Sequence, residues 1–280
     1  MPPAAPLISV STANFFSFPF ERALDLIAAA GFREVELDLF VEYADWGMAQ
    51  HLRGWPAGDV ARAIAQRGLH VASIHDGGGV LPSPVSLHGY INPRLDETLG
   101  QLGYAPGCIV FHTAHVQGAH DPNWWRPLAG QIRAVLEAYH THSTRVTLEN
   151  LFPMLDYTIP FTLPEELQEF LSGSPLGITI DTIHYAQAGV DIVRAAQVLG
   201  GRVFSVHLSD TTSGRSHLYP GDGELDFGGF FHALSRENLY AVTLECNFHH
   251  PGEDLHALSD ALLVERLAAA RTMVEGWLAA

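Results

Sequence analysis

The chain has 280 residues, 47% of them hydrophobic, with a formal net charge of −16 and only two cysteines. All 15 basic residues are arginine, which excludes a lysine Schiff base, a Lys-anchored pyridoxal phosphate and a P-loop, while the acidic balance argues against a nucleic-acid partner. Cys108 and Cys246 read as core thiols, and no leader pattern or apolar run near the ~20 residues of a membrane span is seen, so a soluble, cytoplasmic protein is expected.

In chain order, β-branched alternation predicts a first strand over 7–15, and Pro19 opens a helix stopped by Gly31. A strand over 34–40 places Val35, Leu37 and Leu39 on one face; the aromatic loop 41–55 reads as part of a substrate lid. A helix over 56–68 and a strand over 70–79 follow. Within 80–107, PSPVSLHGY reads as loop and DETLGQLG as helix. A strand over 108–116 leads to a helix over 124–143, and a strand over 145–151 to a helix over 162–173 capped by Thr162. GITIDTIH (177–184) is the next strand, then a helix over 191–201, a strand over 203–210 and a Gly-rich loop. A helix over 227–238, a strand over 241–248 and a helical segment over 253–278 complete the pattern.

Eight strands thus alternate with eight helical segments at a spacing of about 35 residues, which predicts one domain over 1–280, a single (β/α)8 TIM barrel of the α/β class. The doubly wound alternative lacks a G-x-G-x-x-G after the first strand. A barrel brings every strand's carboxyl end to one rim, where distant residues share a site.

Those ends are rich in ligating side chains. VTLEN ends on Glu149, GITIDTIH on Asp181 and His184, VFSVHLSD carries His207, and VTLEC carries Glu245. Asp181 and His184 are three apart, so one of them must leave the strand for the following loop. Two buried Glu near one point repel unless a divalent cation neutralises them. Three carboxylates and an imidazole suit Mn²⁺, Mg²⁺ or Zn²⁺, and the lack of Cys ligands argues against a structural zinc. The ordinary alternative for Glu149 is a salt bridge to an Arg. His75, His112 and His184 each read singly as hydrogen-bonded rim residues; together they would bind further metal or hold substrate. His115, His217 and His249–His250 carry weaker signals. Arg215 reads equally as a substrate contact or a surface charge, and Trp46, Trp124 and Trp125 as packing under loops or as faces for a sugar ring.

The ordered set His75, His112, LEN, DTIH, VHLSD, PGDG, LEC resembles the xylose isomerase-like TIM-barrel superfamily over almost the whole chain. That group contains sugar isomerases and epimerases, dehydratases of sugar-derived compounds and endonuclease IV-like repair enzymes. The resemblance implies that Glu149, Asp181, His207 and Glu245 hold one divalent metal, and that Glu149 and Glu245 exchange protons with a ketose through a metal-stabilised enediolate. It also implies Arg215 as a substrate contact, a sugar-like small molecule as partner, and a homo-oligomer, as members are often dimers or tetramers. The endonuclease branch carries His at the positions of His75, His112 and His184, which are read here as substrate contacts. The endonuclease branch has an Asp-x-His where this chain has Arg215-Ser216-His217, which sets it apart from a three-zinc nuclease. An Arg there resembles the substrate-contacting Arg of ketose 3-epimerases.

Overall fold

A computed structural model of the chain describes residues 5–39, 52–81, 87, 89–118, 120–246 and 255–280. Eight strands close a parallel barrel: β1 (Leu7–Ser11), β2 (Glu34–Asp38), β3 (His70–His75), β4 (Cys108–His112), β5 (Arg145–Glu149), β6 (Gly177–Asp181), β7 (Val203–Leu208) and β8 (Ala241–Leu244). Each pairs with the next in chain order, and β1 with β8 closes the ring. Helices α1 (Phe20–Ala29), α2 (Ala57–Gln66), α3 (Leu95–Leu102), α4 (Ala129–Glu137), α5 (Pro164–Phe170), α6 (Thr182–Gln187), α7 (Ile192–Leu199), α8 (Phe227–Ala233) and α9 (Asp260–Ala279) lie along the chain between and after the strands. This is the expected (β/α)8 barrel. No helix among the described residues is long and apolar enough to cross a membrane.

Strand alternation sorts two kinds of residue. Val35, Leu37, Val146, Leu148, Ile178, Ile180, Val206, Val242 and Leu244 are buried in the core between strands and helices. The intervening positions point into the barrel, and they are polar. Ser9 and Thr243 hydroxyls meet at 2.8 Å, Thr147 and Thr179 at 2.7 Å, and Ser73 Oγ donates to Glu36 Oε2 at 2.8 Å. A barrel interior is usually filled by branched apolar side chains; here hydroxyls satisfy one another across the strands, forming a floor beneath the rim.

Several expected elements end early, each for a local reason. The first strand stops at Ser11, whose Oγ accepts the Ala13 N–H at 3.1 Å and opens a 3₁₀ turn over Thr12–Phe15. That turn serves the rim: Thr12 Oγ1 accepts the Asp38 N–H at 3.0 Å, and Asn14 Oδ1 the Cys246 N–H at 2.9 Å. The strand over 108–116 divides at Thr113, whose Oγ1 donates to the Glu149 carbonyl at 2.7 Å. His115–Gln117 then joins a separate small sheet with Val80–Leu81 and Tyr157–Thr158. The helix over 124–143 reduces to α4 after a 3₁₀ turn containing Pro127. Thr162 is not a cap: α5 starts one residue later, with Glu166 Oε2 accepting the Leu163 N–H at 3.2 Å. The loop 41–55 is described only from Leu52, so the lid expectation and Trp46 lie outside the described residues, as do His249 and His250.

Candidate metal centre

Parallel register sets the site. His112 pairs with Glu149, and Asp181 with His207, so strand ends from opposite parts of the sequence finish level. Glu245 directly follows β8, its N–H donating to the Leu208 carbonyl at 3.1 Å. Ligand atoms of Glu149, Asp181, His207 and Glu245 all come within 4.8 Å of one another, and all four residues are buried.

Asp181 has two tasks. Its Oδ1 accepts the His184 N–H at 2.8 Å and caps α6, leaving Oδ2 turned to the cluster. GITIDTIH is therefore strand to Asp181 and helix from Thr182, and His184 enters the site from a helical turn rather than a loop. Asn150 locks this corner: its Oδ1 accepts the Asp181 N–H at 2.8 Å, and its carbonyl accepts the His184 Nδ1–H at 2.9 Å.

Imidazoles surround Glu149. His75 Nε2 and His184 Nδ1 lie 3.1 Å from its oxygens, His207 Nδ1 3.2 Å and His112 Nε2 3.7 Å. Burial raises the Glu149 carboxyl, yet the charges of His207 and His75 outweigh it and hold the group well below its usual range. Glu245 is raised by burial to about 7, with His207 offsetting part of the rise. Burial also raises Asp181. Burial opposes charge on His207, but Glu245, Glu36 and Glu149 prevail and raise it well above 6.5. His75 is raised likewise by Glu149 and Asp38, and His184 to about 9 by Asp181 and Glu149. Burial holds His112 low, hence neutral.

The donor set is that of a candidate cation site. Both Glu149 oxygens, Asp181 Oδ2, Glu245 Oε2 and both His207 ring nitrogens are buried without an aligned hydrogen bond, held in ion pairs with one another and with His75, His184 and Glu36. Buried polar atoms left in this way are costly unless something ligates them. Three carboxylates and one imidazole at this spacing fit a divalent ion.

The other sequence candidates are distributed unevenly. His75, His112 and His184 reach the cluster. His217, at the left-handed φ of 54°, brings its ring to 6.4 Å from that of His184. Arg215 is exposed on the hairpin strand Arg215–Leu218. His115 is buried with Nδ1 bonded to the Thr113 carbonyl, and Trp125 packs on Phe161 and Phe170. Sequence reasoning missed Glu36 and Asp38 on β2. Glu36 Oε1 lies 3.0 Å from His207 Nε2, and Asp38 Oδ2 lies 3.4 Å from His75 Nδ1. Their signal was available: they hold the β2 positions paired with Ser73 and His75.

The family described as the xylose isomerase-like TIM barrel matches residues 24–264. No curated protein matches the sequence. A xylose isomerase domain protein from Alicyclobacillus acidocaldarius subsp. acidocaldarius is similar in structure, with TM-score 0.69, 22% identity, and 98% of this chain and 99% of that chain covered. An L-ribulose 3-epimerase superposes with TM-score 0.69 at 19% identity, covering 98% and 94%. The IolI protein, solved with a bound zinc atom, has TM-score 0.70 at 15% identity, covering 96% and 97%. At these identities the shared property is the fold.

Proposed function

The chain belongs to the xylose isomerase-like TIM-barrel family, and from that premise we propose that it is a divalent-metal-dependent isomerase or epimerase of a sugar or related polyhydroxylated carbonyl compound. The observation that carries this reading is the convergence of Glu149, Asp181, His207 and Glu245 within 4.8 Å at the ends of four strands. Those four residues would hold one Mn²⁺, Mg²⁺ or Zn²⁺. When bound, such an ion supplies Lewis-acid polarisation of the substrate carbonyl and its neighbouring hydroxyl.

The protein's own groups do the proton work. In this reading Glu149 removes the proton beside the carbonyl and Glu245 returns one. Return to the opposite face of the same carbon gives epimerisation; return to the neighbouring carbon gives isomerisation; loss of a β-hydroxyl gives a dehydratase. His184, its Nδ1 occupied by the Asn150 carbonyl, offers Nε2 to a substrate hydroxyl, with the Phe152 ring 5.1 Å away as an apolar wall. His75 and His112 stand beside Glu149, and Arg215, on the hairpin that follows β7, is the substrate contact assigned to that loop.

The test is solvent-deuterium exchange into a panel of ketoses, with metal content measured on the same preparation. Exchange lost in Glu149→Gln while the protein stays folded supports the reading; unchanged exchange removes it. A second reading, an endonuclease IV-like phosphodiesterase, draws on the His75, His112 and Glu149 group, whose ligand atoms also come within 4.8 Å. It predicts three metals per chain and salt-sensitive DNA binding; the charge of −16 weighs against it.

A further inference from the structure

Glu36 lies inside the barrel below the metal-binding cluster and is fully buried. Its two oxygens are used differently. Ser73 Oγ–H donates to Oε2 at 2.8 Å, which fixes the carboxylate, and Oε1 faces His207 Nε2 at 3.0 Å. The two groups face each other as an ion pair. Across the same ring, Nδ1 lies 3.2 Å from Glu149 Oε2 and 2.6 Å from Glu245 Oε2. An imidazole ligates through a lone pair on one nitrogen while its other nitrogen keeps the proton, and the partner of that second nitrogen decides which is which.

We propose that Glu36 is a positioning residue for the metal: it keeps the proton on His207 Nε2, so that Nδ1 faces Glu149, Asp181 and Glu245 as the ligand. The assignment rests on the metal reading above. A line of contacts then runs from Ser73 through Glu36 to His207 and the ion, anchoring the one neutral ligand to the barrel floor. The competing arrangement has Glu36 ligating directly, since its carboxylate also comes within 4.8 Å of nitrogens of His75 and His207.

The test uses the full chain, stripped of metal and titrated with Zn²⁺ by calorimetry, as wild type, Glu36→Gln and Glu36→Leu, with folding checked by circular dichroism. Loss of an outer partner of a ligating His weakens metal binding by roughly 10- to 100-fold. Glu36→Leu is expected to lose that much, and Glu36→Gln less, because its amide oxygen still accepts from Nε2. In zinc-loaded protein with ¹⁵N-labelled histidine, the His207 Nε2 proton is expected to be protected in wild type and to exchange faster in Glu36→Leu. Unchanged affinity in Glu36→Leu overturns the assignment, and so does a Glu36→Gln loss as large as that of Glu36→Leu, which marks a direct ligand. Wild-type protein that takes up no zinc overturns the metal reading itself, and this assignment with it.

Discussion

His207 Nδ1 lies 2.6 Å from Glu245 Oε2, a contact between side chains at the ends of adjacent barrel strands. In the protein alone this proximity requires a proton on one or both groups, since a carboxylate and an imidazole lone pair repel. A divalent ion held there would take the place of that proton.

Stability in the metal-stripped protein therefore depends on pH with a definite sign. Burial raises Glu245 from 4.5 to about 7, its neighbours raise His184 from 6.5 to about 9, and burial raises Asp76 from 3.8 to about 7. Each folded value exceeds the unfolded one, so each contribution is full below the unfolded value and fades as pH rises through the folded value. Glu149 has the opposite sign, but its contribution changes only below about pH 4.5. His112 and His115, held low by burial, also oppose as pH rises through 6.5, against the raised Glu245, His184, Asp76, Asp181, His75 and His207. Stripped protein should melt several degrees lower at about pH 8 than at about pH 5.5, and Zn²⁺ or Mn²⁺ should flatten that slope. Thermal melts with and without metal check it; a melting point rising over that range in stripped protein would contradict it.

Glu149→Gln should lower kcat by roughly 10²- to 10⁴-fold, the usual worth of a general base. Deuterium exchange at the reacting carbon should fall in proportion. A loss confined to KM would place Glu149 in binding alone.

Asp181 allows its two tasks to be separated. Asparagine caps a helix as well as aspartate does, whereas alanine costs about 1 kcal/mol. Asp181→Asn should keep the melting point of the metal-free protein and lose metal affinity; Asp181→Ala should lose both. Calorimetry with zinc, alongside thermal melts, distinguishes the two.

Asp210 ties down the loop that carries Arg215 and His217. Its Oδ2 accepts the Gly221 and Gly223 N–H groups, both at 2.9 Å, and its Oδ1 those of Thr211 and Leu225 at 2.8 and 3.1 Å. A Cβ on Gly223 would stand 2.3 Å from Asp210 Oδ1, so the backbone must come this close. Asp210→Ala strands several donors and should cost about 3 kcal/mol. If the hairpin contacts substrate, the residual activity should show a raised KM. An unchanged KM in a folded variant would take the hairpin out of substrate binding.

The barrel and the four converging side chains were legible because strand ends in a parallel barrel meet at one rim, so Glu149, Asp181, His207 and Glu245 needed only strand assignment to be grouped. Glu36 and Asp38 were overlooked because the alternation of β2 was read for its apolar face. The inward parity Ser73–His75, Thr147–Glu149, Thr179–Asp181, Ser205–His207 and Thr243–Glu245 recurs as Glu36–Asp38. The break at Thr113 had no local signal: CIVFH and HVQ both suit strands, and the change of sheet depends on distant partners such as Val80 and Tyr157. Arg215 illustrates the converse, since sequence places it in the loop after the seventh strand without saying where its side chain rests.

The most direct measurement is anomalous scattering from crystals of the protein grown with zinc. The account predicts a peak ligated by Glu149, Asp181, His207 Nδ1 and Glu245 at about 2.0–2.2 Å. A zinc ion bound elsewhere, with these four side chains still paired to one another, would contradict it.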